Sequence, residues 1–176
     1  SVIVTTYKRP NLLQQAVYSV LEQDYPNLEI IISDDASNDE TASIVETLLS
    51  FDNRVRYNCN TTNLGEGINV NHSIGNLAHG KYFSVMQDDA KYINKHFIGQ
   101  AVTVLEKNPS ITFVYGDLEG NGKKVQQTIT GKDFWRNWPI ECHWLACLFR
   151  REPANQIGLL EPTGVINGDS LFLLKM

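Results

Sequence analysis

An apolar run of six residues, Tyr82-Phe83-Ser84-Val85-Met86-Gln87, follows Gly80 and stops abruptly at two adjacent carboxylates, Asp88-Asp89. Aromatic and branched residues between a glycine and a polar break predict a buried strand. Side chains alternate faces along a strand, so the two aspartates cannot both enter a core, and an unpaired buried carboxylate is costly. Both therefore belong at the strand's exit. In an open α/β sheet the carboxyl ends of strands are where ligands bind, and paired carboxylates there suit a hard divalent cation that also takes phosphate oxygens. The plainer alternative is a helix cap or a solvent-facing pair.

The same pattern recurs along the chain. Ser1 to Thr6 is an uncharged run rich in β-branched residues, and Pro10 opens a segment to about Asp24 whose Leu13, Ala16, Val17, Val20 and Leu21 share a helical stripe. Leu28 to Ser33 is a second apolar run that stops at Asp34-Asp35, with Ser37 or Asn38 as the expected cap of a helix carrying Ile44, Val45, Leu48 and Leu49. Val55 to Cys59 predicts a third strand. A polar turn containing Asn63-Leu64-Gly65 then leads into a helix ending at Leu77, and a helix from Asn94 to Lys107 precedes a strand from Ile111 to Asp117. Strands alternating with helices imply a mostly parallel central sheet flanked by helices on both faces. Right-handed crossovers would place Asp34, Asp35, Asp88, Asp89 and Asp117 on one rim. Beyond Asp117 the alternation is lost, leaving a smaller irregular half with a strand expected over Leu145 to Arg150, a short helix over Pro153 to Ile157 and a last apolar helix over Leu171 to Leu174.

Bulk properties narrow the function classes. A chain of 176 residues fits one α/β domain with a sizeable core. Net charge is −5 with the basic residues scattered, which gives no electrostatic footprint for nucleic acid. No apolar run reaches the roughly 18 to 20 residues of a membrane span, so a soluble chain is expected. Cys59, Cys142 and Cys147 are an odd set without paired close spacing, which fits a reducing, cytoplasmic setting better than a disulfide framework or a zinc site. The chain opens in mid-strand without a methionine and closes on an apolar run, as a trimmed piece of a longer protein would.

No glycine-rich phosphate cradle follows any strand, so a bound pyrophosphate would rely on a metal, which Asp88-Asp89 are suited to hold. Asp34, at a neighbouring strand end, can accept hydrogen bonds from a nucleobase or ribose, or cap the next helix. No serine or cysteine nucleophile sits in a recognisable elbow. His143, between Cys142 and Trp144, could reach a metal or diphosphate, although a lone histidine in an aromatic setting is more often structural. Trp135 and Trp138 suit either sugar stacking or packing.

Taken together, Ser1-Val2-Ile3-Val4-Thr5-Thr6-Tyr7-Lys8-Arg9-Pro10, Asp34-Asp35-Ala36-Ser37-Asn38-Asp39, Asn63-Leu64-Gly65, Ala78-His79-Gly80-Lys81-Tyr82 and Gln87-Asp88-Asp89 resemble, in order and spacing, the family 2 inverting glycosyltransferases of the GT-A fold. Leu148 to Glu152, Ile157-Gly158 and Asn167-Gly168-Asp169 resemble that family's second half. The resemblance implies a Rossmann-like GT-A domain over 1–176, with a nucleotide-sugar-binding half over 1–117 and an acceptor-side half over 118–176. It implies that Thr5 and Tyr7 line the nucleotide pocket, Asp34 meets the base, Asp35 supports that loop, and Asn63 and Gly65 shape the wall. Asp88 would contact ribose or sugar, and Asp89 would be the principal ligand of Mn²⁺ or Mg²⁺. Asp169 aligns with the catalytic base, with Gly168 where the family usually has an acidic neighbour; an aspartate there also suits a helix cap. Asn71-His72 stand where the family often has arginine and asparagine.

The activity so implied is inverting, metal-assisted transfer of a sugar from a nucleotide donor, with UDP-sugar the expected donor, to the hydroxyl of a glycan or lipid-linked acceptor in polysaccharide assembly, at the inner face of the membrane or in the cytoplasm. One alternative is a catalytically silent nucleotide-binding domain of the same fold. A receiver-like signalling domain is another, although it predicts about 120 residues and a lysine after the last strand.

Overall fold

The computed structural model describes residues 1–116, 145, 147–156 and 158. Asp117, Cys142, His143, Trp135, Trp138, Trp144, Asp169 and the final helix expected over Leu171 to Leu174 lie outside the described residues.

Among the described residues six strands form one sheet: β1 (Val2–Thr6), β2 (Ile30–Asp34), β3 (Val55–Cys59), β4 (Tyr82–Gln87), β5 (Phe113–Tyr115) and β6 (Cys147–Arg150). Five helices accompany them among the described residues: α1 (Pro10–Leu21), α2 (Thr41–Phe51), α3 (Glu66–His72, continued by a wider π turn over Ser73–Leu77), α4 (Phe97–Lys107) and α5 (Arg151–Gln156). The spatial order is β3-β2-β1-β4-β6-β5. The first four strands are parallel, and β6 runs antiparallel to both β4 and β5. The mostly parallel sheet expected from the alternation is thus present, with one reversed strand inserted between β4 and β5.

Strand alternation assigns the apolar residues to two layers. Val2 and Val4 of β1 join Ile30, Ile32 and Met86 beneath α1, α2 and α4. Ile3, Ile31, Phe83 and Val85 face the opposite way, against Val70 and Ile74 of the α3 segment, Phe149 and Ala154 of α5. Every residue of β1 and β2 is buried, as expected for parallel strands covered on both faces. Helix α1 begins with Pro10 at its first turn, where the missing N–H is no loss, and no side chain caps it. Asp39, rather than the expected Ser37 or Asn38, satisfies the start of α2 by accepting the Thr41 amide at 2.9 Å. Ser37 and Asn38 are engaged elsewhere, in the loop before that helix. Cys59 is an exposed free thiol. Among the described residues no helix is long and apolar enough to cross a membrane.

The order places β1 at the point where the chain's connections change direction, β2 and β3 lying to one side and β4 to the other. A crevice outside the carboxyl ends of β1 and β4 follows from that topology.

Phe83 and Phe149 are both fully buried and stack with centroids 5.2 Å apart, joining β4 to the reversed strand. Phe149→Ala should therefore cost about 3 to 5 kcal/mol in urea unfolding. Phe51→Ala, at a ring 71% exposed, should stay within about 0.5 kcal/mol; equal losses at both sites would contradict this account of the core.

Candidate active site

Parallel register brings the strand ends level. Thr5 lies opposite Ser33 on one side and Gln87 on the other, and Thr6 lies opposite Asp34, itself opposite Cys59. Beyond these ends opens a cavity of about 500 Å³ lined by Thr5, Thr6, Tyr7, Arg9, Asp35, Asn63, Gly65, Glu66, Asn69, Gln87, Asp88 and Asp89. Six of the residues singled out from the sequence for the donor and metal, Thr5, Tyr7, Asn63, Gly65, Asp88 and Asp89, meet there.

Asp34 does not line this wall. It is buried, one carboxylate oxygen accepting the Ser37 amide and hydroxyl and the other the Tyr57 hydroxyl at 2.8 Å, with the Cys59 thiol at 3.6 Å. Burial, followed by the bond to Asp34, pushes the Tyr57 phenol well above its ordinary range, so it stays a donor. The Ser37 hydroxyl also accepts the Lys8 amide at 2.9 Å, tying the β1 loop to the β2 loop. Lys8, Ala36 and Asn38 all adopt left-handed backbone angles, with φ of 57°, 64° and 51°. Around Lys8 and Ala36 the Asp34–Ser37 network supplies bonds that hold this conformation, and Asn38, a residue type that tolerates it, donates its side-chain amide to the Ala36 carbonyl.

Asp35, by contrast, faces the cavity. Its carboxylate accepts the amides of Leu64 and Gly65 at 2.8 Å each and the Asn60 side-chain amide at 2.9 Å. Gly65 sits at φ 81°, which a side chain would strain, and so points its N–H back at Asp35. Behind this turn lies a buried polar network: the Ser33 hydroxyl donates to Asn69 Oδ1 at 2.7 Å, Asn69 Nδ2 returns a bond to the Ser33 carbonyl, and Ser73 donates to Ser33 Oγ.

On the other side, Asp88 is buried and Asp89 half exposed. The Thr6 hydroxyl donates to Asp88 Oδ2 at 2.8 Å, fixing that carboxylate. A single nitrogen, Arg9 Nη1, bridges Asp88 Oδ1 at 3.3 Å and Asp89 Oδ2 at 3.1 Å. Asp88 foremost, with Asp89, raises the Arg9 pKa, so the guanidinium stays charged. The two carboxylates thus converge on one cationic position, which is what a shared divalent ion requires. Among the described residues no cluster of three or more His, Cys, Asp and Glu side chains forms a self-contained metal cage. Two carboxylates with open positions match the way Mg²⁺ or Mn²⁺ is held jointly with substrate phosphates. Tyr7 lies at the mouth, 41% exposed, with Lys8 Nζ 5.1 Å from its ring centre.

Arg9, Thr6, Glu66 and Asn69 were not singled out from the sequence. Thr6 and Arg9 had a legible signal, since both sit between the first strand and Pro10, at the rim where the aspartates were expected. The Ser33-Asn69-Ser73 contacts had none, because they join residues 36 to 40 positions apart.

The family model described as Glycosyl transferase family 2 matches residues 1–158. The chain belongs to glycosyl transferase family 2. It is 34% identical over 148 residues to the GalNAc(5)-diNAcBac-PP-undecaprenol beta-1,3-glucosyltransferase of Campylobacter jejuni, covering 76% of this chain and 46% of that enzyme. Among solved structures it resembles the mannosyltransferase PcManGT of Pyrobaculum calidifontis, in complex with GDP-Man and Mn²⁺, with a TM-score of 0.76 and 25% identity over 97% of this chain and 49% of that one. It also shares the fold of S. aureus TarS 1-349 in complex with UDP-GlcNAc, with a TM-score of 0.77 and 24% identity over 99% of this chain and 52% of that one. The GT-A fold expected from the sequence is the one these neighbours have. This family 2 chain spans about half the length of the relatives it matches.

Asp35→Asn should remove one charge-assisted bond to the 63–65 turn and cost about 1.5 to 3 kcal/mol. Amide exchange at Leu64 and Gly65 should quicken while that of the central strands slows back to wild-type levels once the stability loss is subtracted. Unchanged exchange at both turn amides would contradict the role given to Asp35.

Proposed function

We propose that this chain is the donor-binding part of an inverting, metal-assisted glycosyltransferase that moves a sugar from a nucleoside diphosphate to an acceptor hydroxyl in glycan assembly. The observation that carries this reading is the convergence of Asp88 and Asp89 on one cationic position inside the strand-end cavity. Family membership and the likeness to a mannosyltransferase solved with GDP-Man and Mn²⁺ support it.

The cavity divides by chemistry. Tyr7 offers an aromatic face to a base, and Asp35, with Asn63 and the Gly65 turn, offers acceptors and a shaped wall beside it. The base contact expected of Asp34 passes in this reading to Asp35, because Asp35 lines the cavity and Asp34 does not. Asp34 becomes a positioning residue for the loop. Asp88, held by Thr6, orients toward ribose or sugar, and Asp89 is the exposed partner that would hold Mn²⁺ or Mg²⁺.

Breaking the bond between sugar and diphosphate builds negative charge on the leaving phosphate, and a bound divalent ion supplies the Lewis acidity that stabilises it. Glu66 and Gln87, hydrogen-bonded to each other, close one side of the cavity. Asp169, by the sequence resemblance, takes the proton of the attacking hydroxyl. Direct attack by that hydroxyl on the anomeric carbon, with Asp169 as the base, is a single displacement, hence inversion. UDP is the nucleotide expected from the family resemblance. The C. jejuni relative's undecaprenol-linked substrate supports a lipid-linked acceptor.

Asp89→Ala should abolish metal-dependent transfer and leave the unfolding midpoint nearly unchanged, since the side chain is half exposed. Undiminished turnover would reject the metal role. Asp169→Asn should retain donor binding while transfer falls by about 10² to 10⁴; a normal rate would place the base elsewhere.

A further inference from the structure

Arg9 has no role in the transfer scheme above, yet its guanidinium stands where that scheme requires a metal. The same nitrogen touches one oxygen of Asp88 and one of Asp89, at 3.3 and 3.1 Å. A divalent ion held by Asp89 Oδ2 would lie closer to that oxygen than the nitrogen does, about 2.0 to 2.1 Å for Mg²⁺, and would need the space that the guanidinium nitrogen and its hydrogens occupy. The two cations are therefore alternatives.

We infer that Arg9 is a place-holding cation that neutralises the Asp88-Asp89 pair before metal arrives and must withdraw for the metal to enter. This rests on the reading of Asp89 as a metal ligand. Three observations fit it. Asp88 is pinned through its other oxygen by Thr6, so the pair cannot simply relax apart when the guanidinium leaves. Arg9 is 54% exposed, so it can swing away without opening the core. It also precedes helix α1, which it joins through its backbone carbonyl, accepting the Leu13 amide, while its side chain makes no capping bond to the helix.

Withdrawal leaves a tethered positive charge at the mouth of the cavity, and a nucleoside diphosphate brings a new anion to receive it. Metal entry alone sacrifices the Arg9 contacts, whereas metal arriving with a diphosphate restores a partner for the guanidinium. Arg9 thereby couples the two ligands, and the coupling is reciprocal.

The test is Mn²⁺ titration followed by the electron paramagnetic resonance of free Mn²⁺, on wild type, Arg9→Met and the size-matched Arg9→Gln, with and without UDP or GDP. Without nucleotide, both variants should bind Mn²⁺ about fivefold more tightly, the factor that a partly exposed ion pair can supply. The gap should narrow at 1 M NaCl, about a 3 Å screening length. The gain in Mn²⁺ affinity on adding the nucleotide should be smaller in both variants than in wild type. Equal or weaker Mn²⁺ binding by the variants, lost in Asp89→Ala, overturns the place-holder and leaves the metal assignment standing. Failure of wild type and variants alike to bind Mn²⁺, with or without nucleotide, overturns both.

Discussion

Everything at the proposed site depends on the parallel pairing of β1 with β2 on one side and β4 on the other. Because Thr5 is in register with both Ser33 and Gln87, the residues immediately after each strand emerge at one level and face one crevice. Carboxylates gathered in this way repel one another, and each needs its own compensation. Asp34 is satisfied by Ser37 and Tyr57, Asp35 by two backbone amides and Asn60, and Asp88 by Thr6 and Arg9. Asp89 alone retains an exposed carboxylate whose described partner is a half-exposed guanidinium.

That gradient separates residues that hold the site from residues free to bind. Asp34 and Asp35 are adjacent and almost equally buried, at 2% and 3% exposure, yet strand alternation turns them to different tasks. Asp34 welds the loops after β1 and β2 together, and three left-handed non-glycine residues are held in those loops. Asp35 fixes the turn that carries Asn63 and Gly65. Rigid walls of this kind leave little conformational freedom to be lost when a ligand binds.

Much of the fold was legible because its signals are local. The β-branched runs, the stripe from Leu13 to Leu21 and Pro10 before it each act over a few residues, and the expected strands and helices that fall within the described residues stand close to where they were placed. The placing of Asp34, Asp35, Asp88 and Asp89 at the ends of β2 and β4 followed from the strand pattern and the handedness of the crossovers. The reversed direction of β6 had no such local signal, since pairing with β4 joins residues near 82 and 150 through long-range packing of Phe83 on Phe149. The separate tasks of Asp34 and Asp35 were illegible for the same reason: which carboxylate is consumed depends on Tyr57 and on the amides at 64 and 65, distant in sequence. The start of α2 differs from the expectation because Ser37, a good cap by type, is drawn into the Asp34 network, leaving Asp39 to accept the Thr41 amide.

The central claim is that the cavity at the ends of β1 and β4 takes a nucleoside diphosphate together with a divalent ion. Thermal unfolding of the protein with UDP or GDP, in the presence of Mn²⁺ and again in EDTA, tests it most directly. A ligand that binds the native state alone stabilises it by about 2.7 kcal/mol at a hundred times its dissociation constant. The account predicts a rise in midpoint with at least one of the two nucleotides that is largely lost in EDTA; midpoints unmoved by either nucleotide, or moved equally with and without metal, would contradict it.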